Sequence, residues 1–156
     1  MSIAEQLKQE LNQCAAGTGP HRIDIADGNE RLVCALADVD RYGCACNELR
    51  LETTALAGLT LDELKQRSAD LASRLTYLME PISPVEADGE SCSVQMRSNP
   101  PRHDDDGTRY YELLMRRGGS ISLQRWHNPG GGPRVPITAE LTREVIVRLA
   151  GDLANG

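Results

Sequence analysis

Two hydrophobic periods alternate along this chain, and they do so twice in the same order. Residues 31–53 alternate between apolar and polar side chains as the strands of a hairpin do, and leucines at helical spacing follow at 60–78. A second hairpin pattern at 108–127 precedes a second helical pattern at 138–153. A hairpin has one apolar face to bury, and an amphipathic helix can cover it. The order therefore predicts an α+β domain in which an antiparallel sheet packs against helices.

Capping residues mark the starts of two helices. Ser2 with Glu5 and Thr60 with Glu63 have the spacing of a capping box, in which side chain and backbone at the helix start bond reciprocally. The first box begins a helix over 2–15, and Gly and Pro residues at 15–20 end it. Shorter segments at 22–26, 80–88 and 91–97 complete the order α-βββ-α-βββ-α.

The whole chain, residues 1–156, is of a size for one domain with one core. Within it, residues 20–78 and 82–154 form two half-repeats at an offset near 78, at which Thr60 matches Thr138. The matching residues are few, so duplication and chance similarity both remain open.

Composition restricts the classes of function. The chain has no Phe and one Trp, so its core must be aliphatic. A net charge of −6 gives no basic excess for a phosphate backbone, so we expect no nucleic-acid partner. Apolar runs are too short to span a bilayer, and the first ten residues lack the features of a secretory signal, so we expect a soluble cytoplasmic protein. Free thiols are the simplest reading of five cysteines.

No motif assigns a catalytic residue, a cofactor or a metal ion. Cys44 and Cys46 lie on one face of a predicted strand, with Cys34 on the other, and small buried side chains are the expected role. The acidic loop 103–107 lacks the ligand pattern of a calcium site, and Gly130–Gly132 lacks the Lys-Ser/Thr of a phosphate loop. An enzymatic or small-ligand domain remains the alternative.

The second hairpin has an excess of apolar residues. Pairing Arg117 with Ser120 across the Gly118-Gly119 turn leaves both faces apolar, although a sheet covered on one side needs only one such face. Either the N-terminal helix or another protein chain covers the second face. In the second case, the residues that would meet a partner are Tyr111, Leu113, Met115 and Trp126, with Arg116 and Arg125 beside them.

The element order, the length and the acidity of the chain resemble the class I type III secretion chaperones over residues 2–153. The resemblance implies a homodimer that binds an extended segment of a client protein. It assigns client contact to three side chains of the first helix, Ile3, Leu7 and Leu11, and dimer contact to the 61–78 helix or the following strands. The long loops at 102–107 and 128–136 and the lack of core aromatics depart from that family. We therefore expect a non-enzymatic protein- or peptide-binding domain.

Overall fold

A computed structural model describes residues 1–14 and 19–155. This part of the chain forms an antiparallel sheet packed against helices, as predicted. The helices are α1 (Ile3–Gln13), α2 (Leu61–Arg74) and α3 (Arg143–Asn155), with short 3₁₀ turns at Thr54–Leu56 and Thr76–Leu78. The strands are β1 (His21–Asp27), β2 (Glu30–Val39), β3 (Gly43–Thr53), β4 (Ile82–Asp88), β5 (Ser93–Ser98), β6 (Arg102–Asp104), β7 (Gly107–Arg116), β8 (Ser120–Asn128), β9 (Val135–Ile137) and β10 (Ala139–Thr142).

Both capping boxes are present. The Ser2 hydroxyl accepts from the Glu5 amide at 3.2 Å, and the Glu5 carboxylate accepts from the Ser2 amide at 3.0 Å. Thr60 and Glu63 make the same pair of bonds at 3.2 and 3.1 Å. The predicted end of α1 at 15–18 lies outside the described residues.

The strands follow the order β1-β2-β3-β8-β7-β5-β4, with β3 and β8 at the centre. The hairpins β2–β3 and β7–β8 begin at positions offset by 77 residues, and they lie side by side, joined by the pairing of β3 with β8. The helices pack on one side of the sheet, which we call the inner face: α1 and α3 against β1 and β3, and α2 against β4 and β5. The other side is the outer face. The core between sheet and helices is largely aliphatic, as the composition requires.

The first hairpin has the predicted register at both ends but is irregular in the middle. Val39 pairs with Cys44 and Leu32 with Leu51, while Ala37 and Asn47 are skipped as bulges. A bulge changes which side chains face inward. As a result Cys34, Cys44 and Cys46 are all buried on the inner face, so the predicted separation of Cys34 from the other two is wrong.

Two of the buried thiols, those of Cys34 and Cys44, are held protonated. A hydrogen bond with Cys46, together with burial, raises the pKa of the Cys34 thiol far above its ordinary value. Burial also raises the pKa of Cys44, to about 12. All five cysteines are free, and these two fill space in the core as small apolar groups do.

The predicted register of the second hairpin is wrong by one residue. Arg116, not Arg117, pairs with Ser120, so the connection has three residues and ends at Gly119. Gly119 has a φ of 113°, and a Cβ there would lie 2.8 Å from the Thr53 carbonyl oxygen, which favours glycine. Since a one-residue shift exchanges the faces of a strand, the apolar side chains of β7 join those of β8 on one face. The other face is therefore mixed, with Tyr110, Leu114 and Trp126 beside the polar Glu112 and Gln124.

A segment predicted as a loop and the predicted start of the last helix both form strands. Asp104 pairs with Gly107, so the acidic loop is the turn of the β6–β7 hairpin. The final helix begins at Arg143 rather than at 138, because Ala139 and Leu141 alternate inward as β10 and pair with Cys46 and Cys44 of β3. No helix of the described chain is both long and apolar enough to cross a membrane.

Candidate functional site

Near its centre the sheet separates into two arms. β3 and β8 pair only over Leu49–Glu52 and residues 120–123. Beyond this point β10 pairs with β3, while β9 pairs with the end of β8. The chain turns between the two arms at Thr138. In the described residues β9 and β10 each have one pairing partner, so their other edges are turned toward each other across the opening.

A cavity of about 770 Å³ lies at this opening. Its wall on one side is the Leu78–Pro81 segment, on another the Pro100–Arg102 segment, and on the third the arms β9 and β10. We call it the split-sheet cavity; its lining residues are Leu78, Met79, Glu80, Pro81, Pro100, Pro101, Arg102, Arg109, Tyr111, Arg125, Ile137, Thr138 and Glu140.

The floor of the cavity is a buried polar network. Arg125 on β8 forms an ion pair with Glu80 at 2.9 Å, and its guanidinium carbon lies 4.3 Å from the ring centroid of Tyr111 on β7. Ser98 donates to Glu80 at 2.7 Å and accepts from the Tyr111 amide at 2.8 Å. Burial raises the pKa of Tyr111, and the charge of Arg125 offsets only part of that rise. Because each buried charge has its partner, the floor is rigid and stays polar.

The walls are apolar and stiff. Prolines at 81, 100 and 101 restrict the backbone and present ring surfaces to the cavity. Met79 stands at the rim with 90% of its surface exposed and a left-handed backbone at a φ of 66°. A flexible thioether side chain on a rigid wall can adapt to varied apolar groups.

The charge of the lining is slightly positive. Arg102 is exposed and has no acidic partner among the described contacts, whereas Arg109 is paired with Asp104 and Arg125 with Glu80. Glu140 is the second acidic group of the lining. Arg102 is therefore the cation most available to a ligand.

Two of the predicted partner-contact residues, Tyr111 and Arg125, line this cavity. Leu113 and Met115 are fully buried under the helices, and Arg116 is exposed at the far end of the hairpin. Trp126 lies on the outer face, where it pairs with Tyr110.

The apolar side chains of α1 that were predicted to contact a client also belong to the core. Ile3, Leu7 and Leu11 are 3%, 0% and 1% exposed, since α1 packs against α3 and β1 rather than over the second hairpin. In this conformation their surface is already covered by the chain itself.

The histidines are not brought together. His103 pairs with Thr108 and His127 with Arg109, which are neighbouring positions of β7 and so point to opposite faces. Neither lines the split-sheet cavity. Within residues 1–14 and 19–155, no group of three or more His, Cys, Asp or Glu is placed to hold a metal ion.

Comparisons of the chain with protein-family models, with curated proteins and with solved structures give no match. The signals that sequence reasoning missed were the alternation of Ala139 with Leu141 and the grouping of prolines around 81 and 100.

Proposed function

We propose that this protein is a non-enzymatic binding domain that holds an extended segment of another protein in the split-sheet cavity. The observation that carries the proposal is the opening between β9 and β10, where two strand edges that have no partner among the described residues border one cavity. An extended peptide can add its backbone hydrogen bonds to a free strand edge, and wall pockets then select its side chains.

The lining favours a segment with apolar residues and an acidic one. Met79 and the prolines offer surface for apolar side chains, while Arg102 has no acidic partner within the described chain. An Asp or Glu of the ligand beside Arg102 would restore the pairing that this guanidinium lacks.

The volume of about 770 Å³ also lies in the range of small-molecule pockets. A small ligand is the second candidate for that reason. Among the described residues, the open edge of β10 favours the peptide, because it offers backbone donors and acceptors in a row rather than a few convergent polar groups, whereas Pro136 of β9 has no N–H to donate.

Selection from a random peptide display library tests the proposal. Arg102→Glu reverses the unpaired charge at the cavity, and Arg116→Glu makes the same change at the far end of the hairpin. We expect selected peptides to contain acidic residues and to bind Arg102→Glu at least tenfold more weakly than the wild type, with Arg116→Glu unchanged. Equal affinity of all three proteins, or loss only with Arg116→Glu, would contradict the cavity as the site.

The homodimer implied by the chaperone resemblance is part of the same proposal. Sedimentation equilibrium tests it separately: the dimer predicts twice the mass of one chain at micromolar concentration. A single-chain mass would remove the dimer and leave peptide binding to be judged by the display experiment.

A further inference from the structure

The outer face of the second hairpin carries a compact group of aromatic and acidic side chains. Tyr110 of β7 lies opposite Trp126 of β8, and Glu112 follows Tyr110 on the same face two residues later. This group lies on the side of the sheet away from the split-sheet cavity, so it is independent of the function proposed above.

Glu112 is a carboxylate almost removed from water, with 7% of its surface exposed. It accepts from Gln95 at 2.8 Å and from Arg97 at 3.4 Å, and both terminal nitrogens of Arg134 donate to it. Burial would raise the pKa of Glu112, but these bonds and the charges of both arginines outweigh burial and lower it. A buried anion of this kind requires a cation beside it.

Arg134 is held in the geometry that suits a guanidinium group. Its central carbon lies 3.8 Å from the ring centroid of Trp126, and Nη1 donates to the Tyr110 hydroxyl at 3.2 Å. The two-pronged bond to Glu112 and the stacking on the indole both use the flat, forked shape of guanidinium, which a lysine ammonium lacks.

Arg134 ends the segment 129–134, which we call the strap and which makes few other hydrogen bonds. Residues 129–133 are exposed, and a Cβ on any of the glycines 130–132 would touch nothing within 4 Å. Apart from a turn bond from the Gly130 amide to Asn128, the described hydrogen bonds of residues 129–134 are those of the Arg134 side chain. Glycines leave the strap free to move without strain if that side chain is released.

Two buried donors at the same place have no acceptor within the described part of the chain. They are Nε1 of Trp126 and Nε of Arg97. Buried donors are normally paired, and a peptide carbonyl next to a bound arginine would supply an acceptor that the chain's own strap does not.

We propose that Trp126, Tyr110 and Glu112 form a binding site for the guanidinium group of an arginine in a partner peptide, and that Arg134 occupies this site as an internal substitute. The strap then acts as a competitor. A partner arginine binds by displacing Arg134 and inherits its stacking, its hydroxyl contact and its two bonds to Glu112.

Fluorescence of Trp126, the one tryptophan of the chain, gives a direct readout. The full chain with Arg134→Ala is titrated with N-acetyl-arginine amide, with the lysine and citrulline amides as matched controls. Citrulline keeps the shape of arginine but carries no charge. We expect a saturable change with arginine, binding at least tenfold weaker with lysine, and no saturable change with citrulline.

The wild type should need at least tenfold more arginine amide for the same change, because Arg134 competes. Arg134→Ala combined with Glu112→Gln should lose the response. The proposal is overturned if Arg134→Ala gives no saturable change, or if citrulline matches arginine. Should Arg134→Ala fail to fold by circular dichroism, Arg134→Gln keeps a polar side chain at this position and removes the guanidinium charge. If both variants unfold, the same titration is made with the wild type. A fluorescence change that saturates with the arginine amide, but not with the lysine or citrulline amide, supports the proposal. Any other result overturns it.

Discussion

Two buried charged residues, one on each side of the same hairpin, organise the second half of the sheet. Arg125 faces the helices and is paired with Glu80, whereas Glu112 faces outward and is paired with Arg97 and Arg134. Each side chain loses its hydration on burial, and the free energy lost in this way is offset only by ion pairing with a residue of a different segment. A single substitution at either position therefore leaves an uncompensated charge, and its cost is larger than that of a surface ion pair.

The free energy of unfolding should depend on pH through Glu112. Its folded pKa lies below the ordinary 4.5, so its contribution is complete above about pH 4.5 and is lost as pH falls through the folded pKa. The groups that face it are Gln95 and Arg97 of β5, Gln124 of β8, Tyr110 of its own strand and Arg134 of the strap.

Glu112→Gln should cost about 1–3 kcal/mol at pH 7, since it leaves Arg134 without its anion. The cost should shrink as pH falls below 4.5 and through the folded pKa of Glu112, where the wild type loses the same interaction. Urea unfolding of the wild type and the variant, at pH 7 and at a pH below the folded pKa of Glu112, measures the cost at both pH values. Glu90→Gln, at an exposed turn, is the matched control and should change stability little at either pH. An equal cost of Glu112→Gln at both pH values would contradict the role given to its charge.

At the scale of single elements, local chemistry predicted much of the structure. The capping boxes of α1 and α2 are formed as the S/T-x-x-E spacing indicates, and the ends of β3 are those expected. The registers were harder to predict. In the first hairpin two bulges carry the cysteines inward, and in the second the Gly-Gly pair belongs to a three-residue connection. Neither feature changes composition or period enough to be seen in one sequence.

The N-cap of α2 provides a simple test of element stability. Thr60→Ala removes the hydroxyl that accepts from the Glu63 amide, and we expect a loss of about 1 kcal/mol. Thr60→Ser keeps the oxygen and should restore most of it. Thermal unfolding of the two variants measures the difference; a serine variant as unstable as the alanine variant would show that the cap bond is not the cause.

Adjacent leucines test the register of the second hairpin. Leu113 is fully buried on the inner face, whereas Leu114 is half-buried on the outer face. Leu113→Ala should cost about 2–5 kcal/mol, and Leu114→Ala clearly less. Denaturant unfolding of both variants gives the values. A reversed order would instead support the register in which Leu114 lies with Ile121 and Leu123.

On the scale of the whole molecule, the sheet is continuous at both ends and opens at its centre. The order of hairpins and helices predicted the fold class because each hairpin needs a covering helix. The opening itself could not be predicted, since β9 and β10 are three and four residues long and read as loop and helix in the sequence. Tyr111 and Arg125 were predicted as partner contacts, and both lie on the inner face, where they line the cavity.

Mapping a bound peptide on the protein by NMR tests peptide binding in the split-sheet cavity most directly. A display-selected peptide is added to isotopically labelled protein, and amide shifts are followed through the titration. We predict the largest amide shifts at Met79 and Glu80, at Arg102 and along Ile137–Leu141, with Arg116 unchanged. Shifts confined to the outer face around Trp126, or to the Arg116 end of the hairpin, would contradict the claim.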